Sequence, residues 1–241
     1  ALPDAKIKAA NLGYTENEQA LSTSEYKWTN YTLDTTLFYE IYNLNFSVSS
    51  TYSNSADFLP IGDTEKESLT ESVNQFISAL GGNTEDIDTE KTKFSYLLTS
   101  PEGVVPVADP NMASLARIDY YQKPINELNI YYPEANGSSL YFILAKIERT
   151  PEVVEASYHH FVPNLSENST YYIKTAQEAY DALSNGDGYI VNSPANKSIG
   201  ITDVSLGYYL DNRENQEYLL PIVIFKGLDN FEAYVPAIRN Q

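Results

Sequence analysis

Thr64-Glu-Lys-Glu-Ser-Leu-Thr-Glu-Ser-Val-Asn-Gln-Phe-Ile-Ser-Ala-Leu80, closed by Gly81-Gly82, is the stretch on which the fold turns. Leu69, Val73, Phe76, Ile77 and Leu80 recur at helical spacing and form one apolar stripe. Thr64 stands as an N-cap before first-turn acids, and the paired glycines supply the stop. A helix with a single apolar stripe has to bury it against another layer, and the flanking sequence reads as strands.

Downstream, Phe94–Leu98, Leu115–Tyr121, Leu128–Tyr132, Leu140–Ile147 and Val153–Val162 are short β-rich runs separated by turn residues such as Glu134-Ala-Asn-Gly137. They predict antiparallel strands. Pro101 to Pro110 holds three prolines and reads as a loop. Upstream, residues 4–12 predict a short helix with Asp4 as N-cap and Gly13 as stop. Tyr26–Trp28 and Thr32–Ser50 look like strands, with a bulge or turn near Asn43 where the two-residue alternation breaks. Residues 51–63 read as a polar loop.

The same plan returns near the C-terminus. Thr175–Leu183 carries a stripe of Ala176, Ala179, Tyr180 and Leu183, and Asn185-Gly186 ends it. Strand patterns follow at Tyr189–Val191, Ile199–Leu210, Tyr218–Phe225 and Phe231–Val235, joined by a charged loop at Asp211–Glu217 and a tight turn at Gly227-Leu-Asp-Asn230. The expectation is an α+β protein of two helix-plus-sheet units. Residues 1–162 form an N-terminal α+β region, the helix at 64–80 plus its meander; residues 163–241 form a helix-plus-three-strand unit. One helix stripe cannot cover a large sheet, so either the units pack together or each sheet keeps an open face.

Composition bounds the function. The chain has 241 residues, a formal charge of −18, no cysteine, two histidines, one tryptophan and 21 tyrosines. Without cysteine there is no disulfide, thiolate metal site or cysteine nucleophile. The negative charge argues against nucleic acid and against direct binding to an anionic membrane surface. No apolar run approaches the length of a membrane span. The Asn-, Ser-, Thr- and Tyr-rich surface looks extracytoplasmic, and the start at Ala1-Leu-Pro-Asp4 is read as that of a processed chain whose anchor lay upstream. Asn-X-Ser/Thr triplets at Asn30, Asn45, Asn136, Asn164, Asn168 and Asn196 are what an Asn- and Ser-rich chain produces by chance, with glycosylation as the alternative.

The last third carries a resemblance. Ile173-Lys-Thr-Ala-Gln-Glu-Ala-Tyr-Asp-Ala-Leu183, then Ile201-Thr-Asp-Val-Ser-Leu-Gly-Tyr-Tyr209, Tyr218-Leu-Leu-Pro-Ile-Val-Ile-Phe-Lys226 and Phe231-Glu-Ala-Tyr-Val-Pro-Ala237 occur in this order. This order resembles the C-terminal region of the YycH/YycI family of extracytoplasmic regulators and the broader PepSY-like group. It is also similar to anchored extracellular proteins of candidate-phyla bacteria. About 65 residues are covered, and Ile222 stands where the regulators have an aromatic. The resemblance implies an anchored extracytoplasmic domain that modulates a membrane protein by contact, without catalysis.

The residues that carry chemistry elsewhere are sparse here. His159 and His160 adjoin in a predicted strand and therefore point to opposite faces, with no G-x-S-x-G elbow to accompany them. Glu148, Glu152 and Glu155 are candidates for an acid pair, but a solvated acidic face accounts for them better. Asn185-Gly-Asp-Gly188 lacks the ligand spacing of a calcium loop and reads as a helix cap and turn; Glu85-Asp-Ile-Asp88 reads as a solvated acidic turn. No cofactor and no metal site is expected. Tyrosine is the remaining signal, in the pairs Tyr120-Tyr121, Tyr131-Tyr132, Tyr171-Tyr172 and Tyr208-Tyr209. Within a strand one member of each pair faces inward and the other outward. Tyr120, Tyr121, Tyr131 and Tyr132 are the candidate binding residues. The expected function is contact with another envelope or membrane protein, with glycan binding through exposed tyrosines and Trp28 as the alternative.

Overall fold

In the computed structural model, which describes residues 1–51, 58–62, 64, 66–100, 102–135, 137–167, 169–194, 198–211 and 216–239, the stripe quoted above is the centre of the larger core. Among these residues three helices, α1 (Leu2–Asn11), α2 (Lys66–Leu80) and α3 (Ala176–Ser184), accompany fourteen strands in an α+β architecture. The strands are β1 (Glu16–Ala20), β2 (Glu25–Asn30), β3 (Thr35–Glu40), β4 (Phe46–Ser50), β5 (Lys93–Ser100), β6 (Gly103–Val107) and β7 (Leu115–Tyr120). They continue with β8 (Asn129–Tyr131), β9 (Leu140–Ile147), β10 (Thr150–Tyr158), β11 (Tyr189–Asn192), β12 (Ile201–Tyr209), β13 (Leu220–Gly227) and β14 (Glu232–Pro236).

The chain divides into two compact units, residues 1–121 with 139–160, and residues 122–138 with 161–241. The first holds an antiparallel sheet ordered β1-β2-β3-β4-β10-β9-β7-β5-β6. Leu69, Val73, Phe76, Ile77 and Leu80 of α2 are all buried on it, among Leu37, Phe46, Phe142 and Tyr158. Aromatic rings lock the layer: Phe46 lies 5.7 Å from Phe76 and stacks at 4.8 Å on Tyr158. The helix exit is fastened twice. Tyr39 donates its hydroxyl to the Leu80 carbonyl at 2.6 Å, and Gly81 turns the chain at φ +86°. Glu65, between Thr64 and the first residue of α2, lies outside the described residues; Thr64 donates its hydroxyl to the Ile61 carbonyl.

The first fifty residues extend the same sheet by four strands, and a turn near Asn43 separates β3 from β4, as the broken alternation predicts. Other expectations need correction. β1 was not legible because Glu16-Asn-Glu-Gln-Ala20 is a polar edge strand, exposed throughout, with no alternation to detect. Helix α1 begins at Leu2, where Pro3 suits the first turn, so Asp4 lies inside it and supplies first-turn charge instead of a cap. Half of the proline-rich 101–110 loop is β6, an edge strand on which Pro106 is tolerated because no further strand needs its missing donor. β8, expected in the meander, pairs in parallel with β12, and residues 122–138, expected in the N-terminal region, group with the second unit.

The second unit is a five-stranded sheet ordered β11-β14-β13-β12-β8, antiparallel except at β8, in place of three strands. Helix α3 packs on β14 over a core of Ala179, Val223, Phe225, Phe231, Ala233, Val235 and Ala237. Thr175 and Glu178 form a reciprocal capping box. The Glu178 carboxylate also takes the Arg239 guanidinium at 2.7 Å, and the Lys174 ammonium donates to the Pro236 and Ile238 carbonyls. These bonds tie the start of α3 to the exit of β14. Of the expected helix stripe, Ala179 is buried and Leu183 half-buried, whereas Ala176 and Tyr180 are exposed; Ala182 completes the buried set.

Candidate functional site

Strand register decides where each candidate tyrosine goes. Tyr120 lies in the core of the first unit at 2% exposure, 6.0 Å from the Phe142 ring. Tyr121 is half-buried beneath the Lys93 ammonium, 5.2 Å from its ring centre. Both belong to the first unit, and both hydroxyls are pushed up to about 12 by burial. Tyr131 and Tyr132 belong to the second unit, where Tyr131 is half-buried and Tyr132 is buried. Two of the four are thus core residues. The Tyr171-Tyr172 pair lies outside strands with both rings exposed, so alternation does not govern it.

Tyr131 is one member of a larger aromatic face that sequence pairing alone did not reveal. Residues directly opposite in paired strands point the same way. The register sets Tyr131 beside Tyr209, Gly207 beside Ile222, Ile224 beside Tyr234, and Tyr234 beside Tyr189. One sheet face therefore carries tyrosines from β8, β12, β14 and β11. The Tyr234 ring sits in the middle, 5.6 Å from Tyr131, 6.2 Å from Tyr209 and 6.4 Å from Tyr189. Ile222 and Ile224 form its buried floor. Gly207 makes this possible: a Cβ there would stand 2.6 Å from the Tyr131 ring and 2.9 Å from the Asn129 carbonyl oxygen.

The polar ends of the rings are committed locally. Tyr234 donates its hydroxyl to Glu232, and burial, followed by that carboxylate, pushes the hydroxyl well above the usual phenol range. Tyr189 donates to the Pro133 carbonyl at 3.1 Å, and the Lys226 ammonium lies 5.6 Å from the Tyr131 ring centre. Tyr209 donates to Asp211 at 3.4 Å, so the aromatic face is rimmed by two carboxylates, Glu232 and Asp211, and the Lys226 ammonium. It suits stacking and hydrogen bonding, and among the described residues it holds no nucleophile–base pair. A period-two reading carried across strands would have found Tyr189, Tyr209 and Tyr234; only the second of these falls in a Tyr-Tyr pair.

The opposite face of the same sheet is incompletely covered. Helix α3 lies over β14, so Val223 and Phe225 on β13 are buried while Val204 and Leu206 on β12 remain 42% and 38% exposed. Tyr180 reaches from α3 toward Phe225, 6.4 Å between ring centres, and is itself 47% exposed. Tyr180 beside Phe225, and Val204 and Leu206 opposite Phe225 and Val223 in the register, thus share this face along the flank of the helix.

The other chemical candidates resolve into local structure. His160 is buried, and its Nε2 meets both Asp86 carboxylate oxygens at 2.8 and 2.9 Å while Tyr158 stacks on its ring. Asp86 of the acidic turn is thus engaged with a histidine. His159 is half-buried, and burial lowers its pKa. Glu155 accepts the Tyr141 hydroxyl at 3.0 Å, and burial raises the pKa of Glu152. Asn185 is the C-cap of α3, as its Asn-Gly context implies. Of the Asn-X-Ser/Thr sites, Asn30 is buried with its amide on the Leu12 carbonyl, Asn45 accepts the His160 backbone N–H, and Asn164 is exposed. Asn136, Asn168 and Asn196 lie outside the described residues. Among the described residues no three His, Asp or Glu side chains gather as a metal-ligand set, and no helix is long and apolar enough to cross a membrane. A shallow open depression over α2 is lined by Glu67, Thr70, Glu71, Asn74, Gln75 and Ser78, residues of that helix's polar face. No family model matches the chain, and no curated protein or solved structure matches it either.

Proposed function

We propose that this protein is a non-catalytic, extracytoplasmic, membrane-anchored protein that acts by contact with another envelope or membrane protein, in the manner of a regulator of a membrane sensor. The observation that carries the reading is the uncovered apolar strip of Tyr180, Val204 and Leu206. It lies on α3 and β12, within the segments that carry the resemblance to extracytoplasmic regulators. Exposed apolar side chains that are contiguous, and rimmed by polar residues, mark contact sites for other proteins. Supporting features are the Asn-, Ser- and Tyr-rich surface and the engagement of both His160 and Glu155 in local bonds. The test is a photo-crosslinking residue at position 206 in the source cells, with position 71 on the polar face of α2 as control. The reading requires an adduct with one membrane protein at 206 and none at 71; identical adduct patterns at both positions overturn it.

A second reading rests on the tyrosine face. Tyr131, Tyr189 and Tyr209 around Tyr234, with Glu232 and Lys226 at the rim, offer stacking area and polar groups of the kind that hold sugar rings. A glycan array on the intact protein and on Tyr209→Ala decides it. Specific binding lost in the variant supports the reading, and silence across the array rejects it.

A further inference from the structure

We infer that the strip on β12 receives an amphipathic α-helix of the partner protein, laid alongside α3. This rests on the contact function proposed above and names the partner's chemistry. Strands lie about 4.8 Å apart in a sheet, so β14 and β12, two positions apart, are separated by roughly 9.6 Å. Packed helices lie about 8–10 Å apart. Helix α3 occupies the position over β14 and runs back along it, because Lys174, two residues before it, is bonded to Ala237 just beyond that strand. Val204 and Leu206, one helix diameter away, are left bare on this side of α3, while Ile190 is exposed on β11 at its other side. The flank of α3 that faces this position carries Tyr180 with exposed Ala176 four residues before it and exposed Ser184 four residues after it. Short side chains on either side of a ring let a second helix approach closely and seat a large residue against Tyr180.

Charge sets the partner's flanks. Glu178 is already paired with Arg239, but Asp181 and Asp187 lie in a sequence, Thr175 to Asn196, without Lys or Arg, and the whole chain carries −18. The helix that fits is therefore apolar at i, i+3, i+4 and i+7 and bordered by Lys or Arg. A second copy of this acidic chain is disfavoured by the same charge.

The probe is an 18-residue synthetic helix with leucines at i, i+3, i+4 and i+7 and lysines elsewhere on its flanks, titrated onto the full chain by fluorescence anisotropy. A scrambled peptide of the same composition controls for charge alone. The amphipathic peptide should bind at least about tenfold more tightly than the scramble, Leu206→Asp should abolish that difference, and Asp181→Lys should weaken binding by up to about fivefold. Equal affinity for both peptides, or a difference that survives Leu206→Asp, overturns the inference. So does concentration-dependent dimerisation that Leu206→Asp removes, which would assign the strip to a second copy. Mapping the adduct at position 206 separates this claim from the one beneath it. Crosslinks at every third or fourth partner residue support the helix; crosslinks at every second residue reject it while the contact function stands.

Discussion

Gly207→Ala places the first atom of a side chain where the structure has no room for one. The new Cβ would stand 2.6 and 2.7 Å from two Tyr131 ring carbons and 2.9 Å from the Asn129 carbonyl oxygen. The ring can swing, but β8 pairs with β12 at this residue, so the backbone contact can be relieved only by separating the two strands. Overpacking of this kind costs about 1–3 kcal/mol. Tyr131 also meets Tyr234 at 5.6 Å and lies under Lys226, so the displaced ring loses contacts on both sides. Urea unfolding of the wild type, Gly207→Ala, Tyr131→Ala and the double variant forms a complete cycle. The double variant should be about 1 kcal/mol more stable than the sum of the single losses implies, because removing the ring removes the nearer clash. A Gly207→Ala protein within about 0.5 kcal/mol of wild type, or strictly additive effects, would show that Tyr131 does not lie against β12 as described.

Four further outcomes follow from the packing and the charges. Phe142→Ala removes a fully buried ring between Tyr120 and Phe46 and should cost about 3–5 kcal/mol in denaturant unfolding. Glu178 is held at about 2 by the Thr175 backbone N–H and then by Arg239, below its unfolded value of 4.5. Its contribution is therefore complete above pH 4.5 and is lost as pH falls toward 2. The stability difference between wild type and Glu178→Gln should shrink over that acid range; a difference that widens on acidification contradicts the assignment. Thr175→Ala, which removes the other half of the capping box, should cost about 1 kcal/mol at neutral pH. Leu206→Asp replaces a partly covered mid-strand side chain opposite Val223 and should cost about 1–2 kcal/mol, so its binding is compared with that of Leu206→Thr, which keeps strand propensity, after both are shown to be folded.

The α2 stripe was readable from helical periodicity, the end of α3 from Asn185-Gly186, and most strands from β-rich runs between turn residues, even β9 and β13, which are buried on both faces. Legibility failed where burial did not imprint a pattern. Glu16–Ala20 is an exposed edge, Pro106 looks like a loop residue until its edge position is known, and Asn129–Tyr131 pairs with a strand some eighty residues later. The tyrosine site failed for a related reason. Adjacent tyrosines mark alternate faces of one strand, so Tyr120-Tyr121 and Tyr131-Tyr132 each give one ring to the core. The aromatic face is instead assembled across strands, and Tyr189 and Tyr234 meet only through the β11–β14 register. The open strip on β12 was foreseeable in kind, since one short helix cannot span five strands, but its position required knowing that α3 lies over β14.

Crosslinking from position 206 in the source cells, with Leu206→Asp binding measured beside it, tests the contact function most directly. The account predicts a single membrane-protein adduct at 206, absent at position 71, and loss of that partner's binding in folded Leu206→Asp protein. Unchanged partner binding by Leu206→Asp, or the same adducts at 71 as at 206, would contradict it.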